Sequence, residues 1–308
     1  MIDEKEVAII GMGPGGVSAA IYLSRYGMKP VCFEKDLIGG KTNYTEKIAN
    51  YAGYLDEKGP QLGLNFSQQL DRFAIKTIYK EVKSVMPNPD GTFDISYGKE
   101  VHTFRYVILA NGLGEKTYDV KGSDKFSKRG ISRCAICDGA FYKGKNVAVL
   151  GGGNSAVEEA AYLASICPNV YLISHSVPFK AEQAVMEEFT SHSSAHIYAP
   201  YDIKESRGDK ILEGLTLVNL EDKTEVDIDI NGLFIYIGSI PVNQFLLVKD
   251  VLDEHGFVVT DEKMKSKVDG LYAIGDCRKT PLRQVATAVS DGAIAANSIH
   301  TDYLKNRR

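Results

Sequence analysis

The chain has 308 residues, a formal net charge of −4 and no Trp. That length allows two domains of ordinary size. The charge gives no sign of a nucleic-acid or anionic-membrane surface, and no apolar run approaches the roughly 20 residues a membrane helix needs.

MIDEKEVAIIG enters a strand-like run almost at once. It lacks the basic region, apolar core and cleavage site of a signal peptide, so a cytoplasmic location is expected. VAII is followed by GMGPGG, residues 11–16, with Gly11, Gly13 and Gly16 in G-x-G-x-x-G spacing. VSAAIYLSRYG then carries small and apolar residues at helical intervals and stops at Gly27. A glycine turn between strand and helix suits a dinucleotide. Gly11 permits the tight turn, Gly13 lets backbone approach a pyrophosphate, and Gly16 lets helix and strand pack closely. The helix N-terminus offers free N–H groups to the phosphates. PVCFEK is the next strand and ends at Glu34, an acid placed to accept from ribose hydroxyls.

A Gly-rich loop, DLIGGKTNYTEKIANYAGY, precedes a helix expected around 62–80 and a strand pair joined by the turn NPDG, 88–91. YVILANG, 106–112, reads as another apolar strand, and the polar stretch GEKTYDVKGSDKFSKRG marks a first boundary. CAICDGA, 134–140, places two thiols two residues apart with an acid directly after the second. A metal clamp, a structural staple and a redox pair are the possible readings. A reducing compartment disfavours the staple, and the chain has no second CxxC to complete a zinc site. Thiol exchange needs a thiolate, which a helix starting at the CxxC would favour. Asp138 then either transfers the proton or caps the helix. Arg133 is either a surface charge or a support for the thiolate. Cys32, Cys167 and Cys277 lie in apolar segments and read as small buried hydrophobes.

VAVL-GGGNSA, 147–156, repeats the run, turn and helix start, with Gly151, Gly153 and Ala156 at the same spacing. VEEAAYLASI follows as a helix and NVYLIS, 169–174, as a strand. Such a repeat implies two dinucleotide-binding lobes, or one lobe and a copy that serves as scaffold. An NAD site wants an acid at the end of that second strand, and an NADP site wants Arg. The chain offers Ser174, His175 and Ser176, and only His175 and Lys180 supply positive charge. GLFIYIGSIP, 232–241, ends the second lobe's strands, and the chain crosses back near Asn243 to Leu247. GLYAIGDC, 270–277, is one more buried strand, and VATAVSDGAIAANSIH a closing helix. The expected fold is α/β, with two Rossmann-like dinucleotide-binding domains, the second inserted in the first. The boundaries fall at 1–114 and 247–308 for the first domain, and 115–246 for the second.

GMGPGG, IGGKTNYTEKIANYAG, VILANG, RGISRCAICDGAFYKGKNVAVLGGGNSAVEEA, GLFIYIGSIP and GLYAIGDC with RQVATAVSDGAIAA together resemble the low-molecular-weight, flavin-dependent thioredoxin reductases over nearly the whole length. The resemblance implies a homodimeric enzyme that reduces the disulfide of thioredoxin or a thioredoxin-like protein. It implies FAD in the first lobe, on Gly11, Gly13, Pro14, Gly15 and Gly16, with its ribose near Glu34 and Lys35. Gly40, Lys41, Thr42, Asn50, Asn111, Gly112, Asp276, Arg283, Gln284 and Val285 match the family's other flavin positions. Cys137 matches the cysteine beside the flavin, Cys134 the thiol that attacks the partner, and Asp138 the acid that handles the proton.

One stretch departs from the family. HRRxxxR, the usual NADPH grip, is replaced by SHSVPFK. Bidentate Arg recognition of a phosphate is not reproduced by Ser or His, so NADPH is expected to bind weakly. Reduced ferredoxin, used by clostridial-type relatives without these arginines, is the expected donor, with NADH as the alternative. A flavin dithiol oxidase would equally dispense with the arginines. A ferredoxin–NADP reductase has no need of the cysteine pair, and a flavoprotein that only senses or binds would leave its disulfide unreduced.

Overall fold

The computed structural model describes residues 6–55, 58–116, 118, 120–127 and 129–306. Residues 1–5, on which the signal-peptide reading begins, and Thr117, Asp119 and Lys128 of the linking stretch lie outside the described residues. The chain divides into two compact units, Met1–Gly114 with Ile240–Arg308, and Glu115–Ser239.

The first unit is built on a five-stranded parallel sheet. Its strands run Leu271–Ala273, Tyr106–Leu109, Val7–Ile10, Val31–Glu34, Thr77–Tyr79 across the sheet. Every residue of Val7–Ile10 is buried, which explains its unbroken apolar run: a central parallel strand is covered on both faces. Helix Pro14–Arg25 starts on a proline, where the missing N–H costs nothing. Helix Val285–Asn306 lies so close to it that a Cβ on Gly292 would stand 2.3 Å from the Gly15 carbonyl oxygen. Ser18 Oγ, 2.7 Å from Val289 O, ties the same two helices.

The helix expected around 62–80 spans only Gly59–Arg72. Ala74 takes a left-handed backbone (φ 53) and stops it. Thr77–Tyr79, with its β-branched residues, then pairs with Cys32–Glu34. NPDG does join two strands, Val82–Pro87 and Phe93–Tyr97, in a three-stranded antiparallel sheet with Glu100–Phe104.

The second unit repeats the plan. Its parallel sheet has the order Ala195–Tyr198, Val170–Ile173, Val147–Leu150, Gly232–Ile235, Ile131–Ser132. Helix Asn154–Ala164 packs on it through Ala156, Val157, Ala160 and Leu163. An antiparallel sheet of Tyr201–Arg207, Gly214–Asn219 and Glu225–Asp229 covers Ala148, Leu150 and Ile173 with Ile203, Leu215, Leu217 and Ile228. The fold is thus α/β with two Rossmann-like units, the second inserted in the first. The chain returns to the first unit at Ile240, not at 247. Residues 240–246 are held there: Asn243 donates to Gly256 O at 2.8 Å, and Val85 N–H donates to Phe245 O at 2.9 Å.

Candidate active site

In the first unit the glycine turn is dictated by close backbone approach. Gly11 sits at φ 98, and a Cβ there would meet Ala110 O at 2.4 Å; one on Gly16 would meet Gly11 O at 2.0 Å. Gly13 instead borders open space, with Gly39 O the nearest atom at 4.0 Å from where its Cβ would be. No side chain caps helix Pro14–Arg25, so its first N–H groups are left for a ligand. Glu34 is buried and organises the turn. Its Oε2 accepts Met12 N–H at 2.7 Å, and its Oε1 accepts Lys35 N–H at 2.8 Å and Asp36 N–H at 2.9 Å. A carboxylate offers about four acceptor sites, so capacity remains for a ribose hydroxyl. Lys35 itself is exposed.

The loop Gly40–Tyr44 forms one short 3-10 helix. Gly40 stands against the glycine turn, since its Cβ would lie 3.3 Å from Gly13 Cα, and buried Thr42 donates to Gly39 O at 2.9 Å. Gly112 again faces open space at φ 63. Asn111 donates to Val242 O at 3.2 Å and Asn243 Oδ1 at 3.1 Å, while its own Oδ1 is buried with no hydrogen-bond partner. A buried acceptor left unpaired is costly, so this atom calls for a donor from a bound group. The open cradle, the uncapped helix and the orphaned Asn111 oxygen together fit the FAD that the resemblance implies.

Asp276, in the turn Gly275–Cys277, has its carboxyl raised above the ordinary range by burial, opposed by the charges of Lys41 and Arg283. Arg283 lies 4.4 Å over the Phe257 ring, and Asn50 donates to Gln284 Oε1 at 3.2 Å. The fold thus gathers Lys41, Asn50, Asp276, Arg283 and Gln284, with Val285 starting the closing helix. Two residues of this group escaped the sequence reading. Arg278 grips Asp291 through Nε at 2.7 Å and Nη2 at 3.0 Å, and Asp291 also accepts Gly275 N–H at 3.0 Å. The signal was Asp291, an acid within the small and apolar residues of the first half of the closing helix.

In the second unit Cys134 and Cys137 form a disulfide, with Cα atoms 5.3 Å apart. Cys134 is the N-cap of the single turn Ala135–Asp138, and its Sγ accepts Cys137 N–H at 3.2 Å. Cys137 is exposed and Cys134 half-buried. Two side chains not foreseen from sequence hold this turn. Ala135 N–H donates to the Tyr236 hydroxyl at 2.8 Å, and Cys134 N–H donates to Ser132 Oγ at 3.1 Å. Ser132 Oγ in turn donates to Asp138 Oδ2 at 2.6 Å. Burial pushes the Tyr236 phenol well above its ordinary range, keeping it a neutral partner. Arg133 donates to Lys116 O at 3.0 Å and faces Glu115 at 3.5 Å, so its charge is spent on the surface. Cys32, Cys167 and Cys277 are free and buried, with burial pushing their thiols up to about 12, 11 and 12.

The second glycine turn is built like the first. A Cβ on Gly151 would meet Tyr236 O at 2.3 Å, and Gly153 faces open space at the uncapped start of helix Asn154–Ala164. Lys180 N–H donates to Gly152 O at 2.8 Å, and Asn154 and Glu182 exchange hydrogen bonds of 2.8 and 2.7 Å. His175 is exposed but not isolated. Its Nε2 lies 2.8 Å from Asp202 Oδ1, which also takes the Tyr118 hydroxyl and, at 2.7 Å, Ile203 N–H. An acid therefore stands beside the end of strand Val170–Ile173, where neighbouring sequence offered none.

Residues 5–292 match the family model described as pyridine nucleotide-disulphide oxidoreductase. The chain is 37% identical over 302 residues to a thioredoxin reductase of Mycoplasmopsis pulmonis, covering 97% of each chain. Among solved structures it resembles Lactococcus lactis thioredoxin reductase in its FR conformation, with TM-score 0.93, 30% identity and coverage of 98% and 99%. The thioredoxin reductase of T. acidophilum gives TM-score 0.92, 32% identity and coverage of 97% and 99%.

Proposed function

The chain belongs to the pyridine nucleotide-disulphide oxidoreductase family, among its thioredoxin reductases, and on that premise we propose that it reduces the disulfide of a thioredoxin or thioredoxin-like protein through Cys134 and Cys137. It is a flavoprotein oxidoreductase acting on a disulfide. The observation that carries the proposal is the formed Cys134–Cys137 bond beside Asp138, whose carboxylate is held by Ser132.

FAD, once bound and reduced by its donor, would supply the electron pair that, with two protons, takes the Cys134–Cys137 disulfide to two thiols. Cys134 then attacks one sulfur of the partner's disulfide, giving a mixed disulfide. Cys137 attacks Cys134, which releases the partner as a dithiol and restores the original bond. Asp138 holds or takes the proton, from a position fixed by Ser132 Oγ. The protein acts in the cytoplasm as a homodimer.

Assignment to the ferredoxin-linked branch has no support from the curated relatives, which are named thioredoxin reductases. The missing arginines speak against NADPH held in the usual way. The intact second glycine turn and uncapped helix favour a nicotinamide nucleotide over reduced ferredoxin. Anaerobic titration of the yellow protein with NADPH, NADH and reduced ferredoxin in turn tests the donor. Thioredoxin reduction by the bleached protein tests the disulfide chemistry. Rapid bleaching by micromolar NADPH would overturn the donor reading.

A further inference from the structure

We propose that the second dinucleotide cleft selects a nicotinamide dinucleotide with a free adenosine 2′-hydroxyl, and that Asp202 is the residue that determines this. The inference deepens the donor reading above and rests on it. It starts from an internal comparison. In the first unit Ile10 pairs with Phe33, and in the second Leu150 pairs with Ile173. Ser174 therefore occupies the place of Glu34, and His175 that of Lys35. Ser174 cannot replace the carboxylate. It is buried, its Oγ donates to Ser176 O at 3.0 Å, and a Cβ on Gly152 would stand 2.6 Å from it.

The carboxylate comes instead from the antiparallel sheet. Tyr201 N–H donates to Ser174 O at 2.8 Å, which brings the start of strand Tyr201–Arg207 against the end of Val170–Ile173. Asp202 then pairs with His175, and Tyr118 and Ile203 N–H hold the same Oδ1. An acid beside the strand end accepts from ribose hydroxyls, whereas a 2′-phosphate needs cations. Here the His175 ring is already engaged by Asp202, and Glu182 sits at the start of helix Asn154–Ala164. Lys180, whose side chain is exposed, is the remaining cation of SHSVPFK. A phosphate dianion entering this strand end meets fixed negative charge, and a hydroxyl meets an acceptor.

The test is calorimetric binding of NAD⁺ and NADP⁺ to the flavin-loaded protein, a readout independent of turnover. NAD⁺ is expected to bind about tenfold or more tighter than NADP⁺, and Asp202→Asn to reduce that ratio about tenfold, the effect of removing one nearby like charge. Adding His175→Arg should tilt the ratio further towards NADP⁺. Equal or tighter binding of NADP⁺ by the unaltered protein overturns the proposal. So does a ratio unmoved by Asp202→Asn, or binding of neither nucleotide at millimolar concentration. Thioredoxin reduction by dithionite-reduced protein is measured alongside. If that succeeds while nucleotide selectivity fails, the cleft assignment alone is lost. If it fails, the disulfide-reductase reading is lost whatever the nucleotides do.

Discussion

The Ser132 hydroxyl joins Cys134 to Asp138: it accepts the Cys134 N–H at 3.1 Å and donates to Asp138 Oδ2 at 2.6 Å. A hydrogen bond to a charged group contributes about 1.5–3 kcal/mol. We predict that Ser132→Ala lowers thioredoxin turnover about tenfold and changes the shape of its pH profile. Ser132→Thr, which keeps the hydroxyl, should restore both. A purely structural role would leave the pH profile of the Ala variant unchanged.

Cys137→Ser should leave the flavin reducible by its donor and abolish thioredoxin turnover, because the mixed disulfide on Cys134 can no longer be resolved. The expected product is a covalent complex between Cys134 and the partner, visible on a non-reducing gel. Turnover that survives the substitution would refute the assigned roles.

Glu34 accepts three backbone N–H groups, from Met12, Lys35 and Asp36. Glu34→Gln replaces one acceptor oxygen by a donor and removes the charge. Retention of flavin on ultrafiltration should fall about tenfold, the equivalent of about 1.4 kcal/mol in affinity. Full retention would show that the cradle does not depend on this carboxylate.

Asp276 gives a prediction with a sign. Its folded-state pKa is raised by burial above the ordinary 3.8, so the folded chain binds this proton more tightly than the unfolded chain. Its contribution is therefore most favourable below the ordinary carboxylate range and is lost as pH rises through the raised value. For the flavin-free protein, Asp276→Asn should raise the urea midpoint at pH 7. The gain should close as pH falls towards 3.8. A gain that is constant with pH would mean that titration of Asp276 is not its cause.

Local pattern made much of this protein legible. Each glycine turn is marked by residues within ten positions of one another, a buried strand, spaced glycines and an uncapped helix, although the backbone that approaches Gly11 and Gly151 comes from distant Ala110 and Tyr236. The CxxC and its following acid are equally local, and so is the strand-end carboxylate Glu34. These features were readable because their marks lie on neighbours in sequence. The run 62–80 misled for the opposite reason. Nothing local marks Ala74 as left-handed, and Thr77–Tyr79 becomes a strand only because Cys32–Glu34 lies beside it.

The sequence alone determined the repeated glycine turn and the spacing of the two thiols, while the redox role of that pair and the missing arginine grip were legible through the family resemblance. The tertiary structure decided which distant groups complete them. Tyr236 reaches Ala135 across 101 residues, and Asp291 meets Arg278 across a turn and a helix. Asp202 supplies, from 27 residues beyond His175, the acid missing from its strand end. Hydrogen bonds and charges act over a few ångströms of space, and only the packing of sheet on sheet and helix on helix sets which residues share that space.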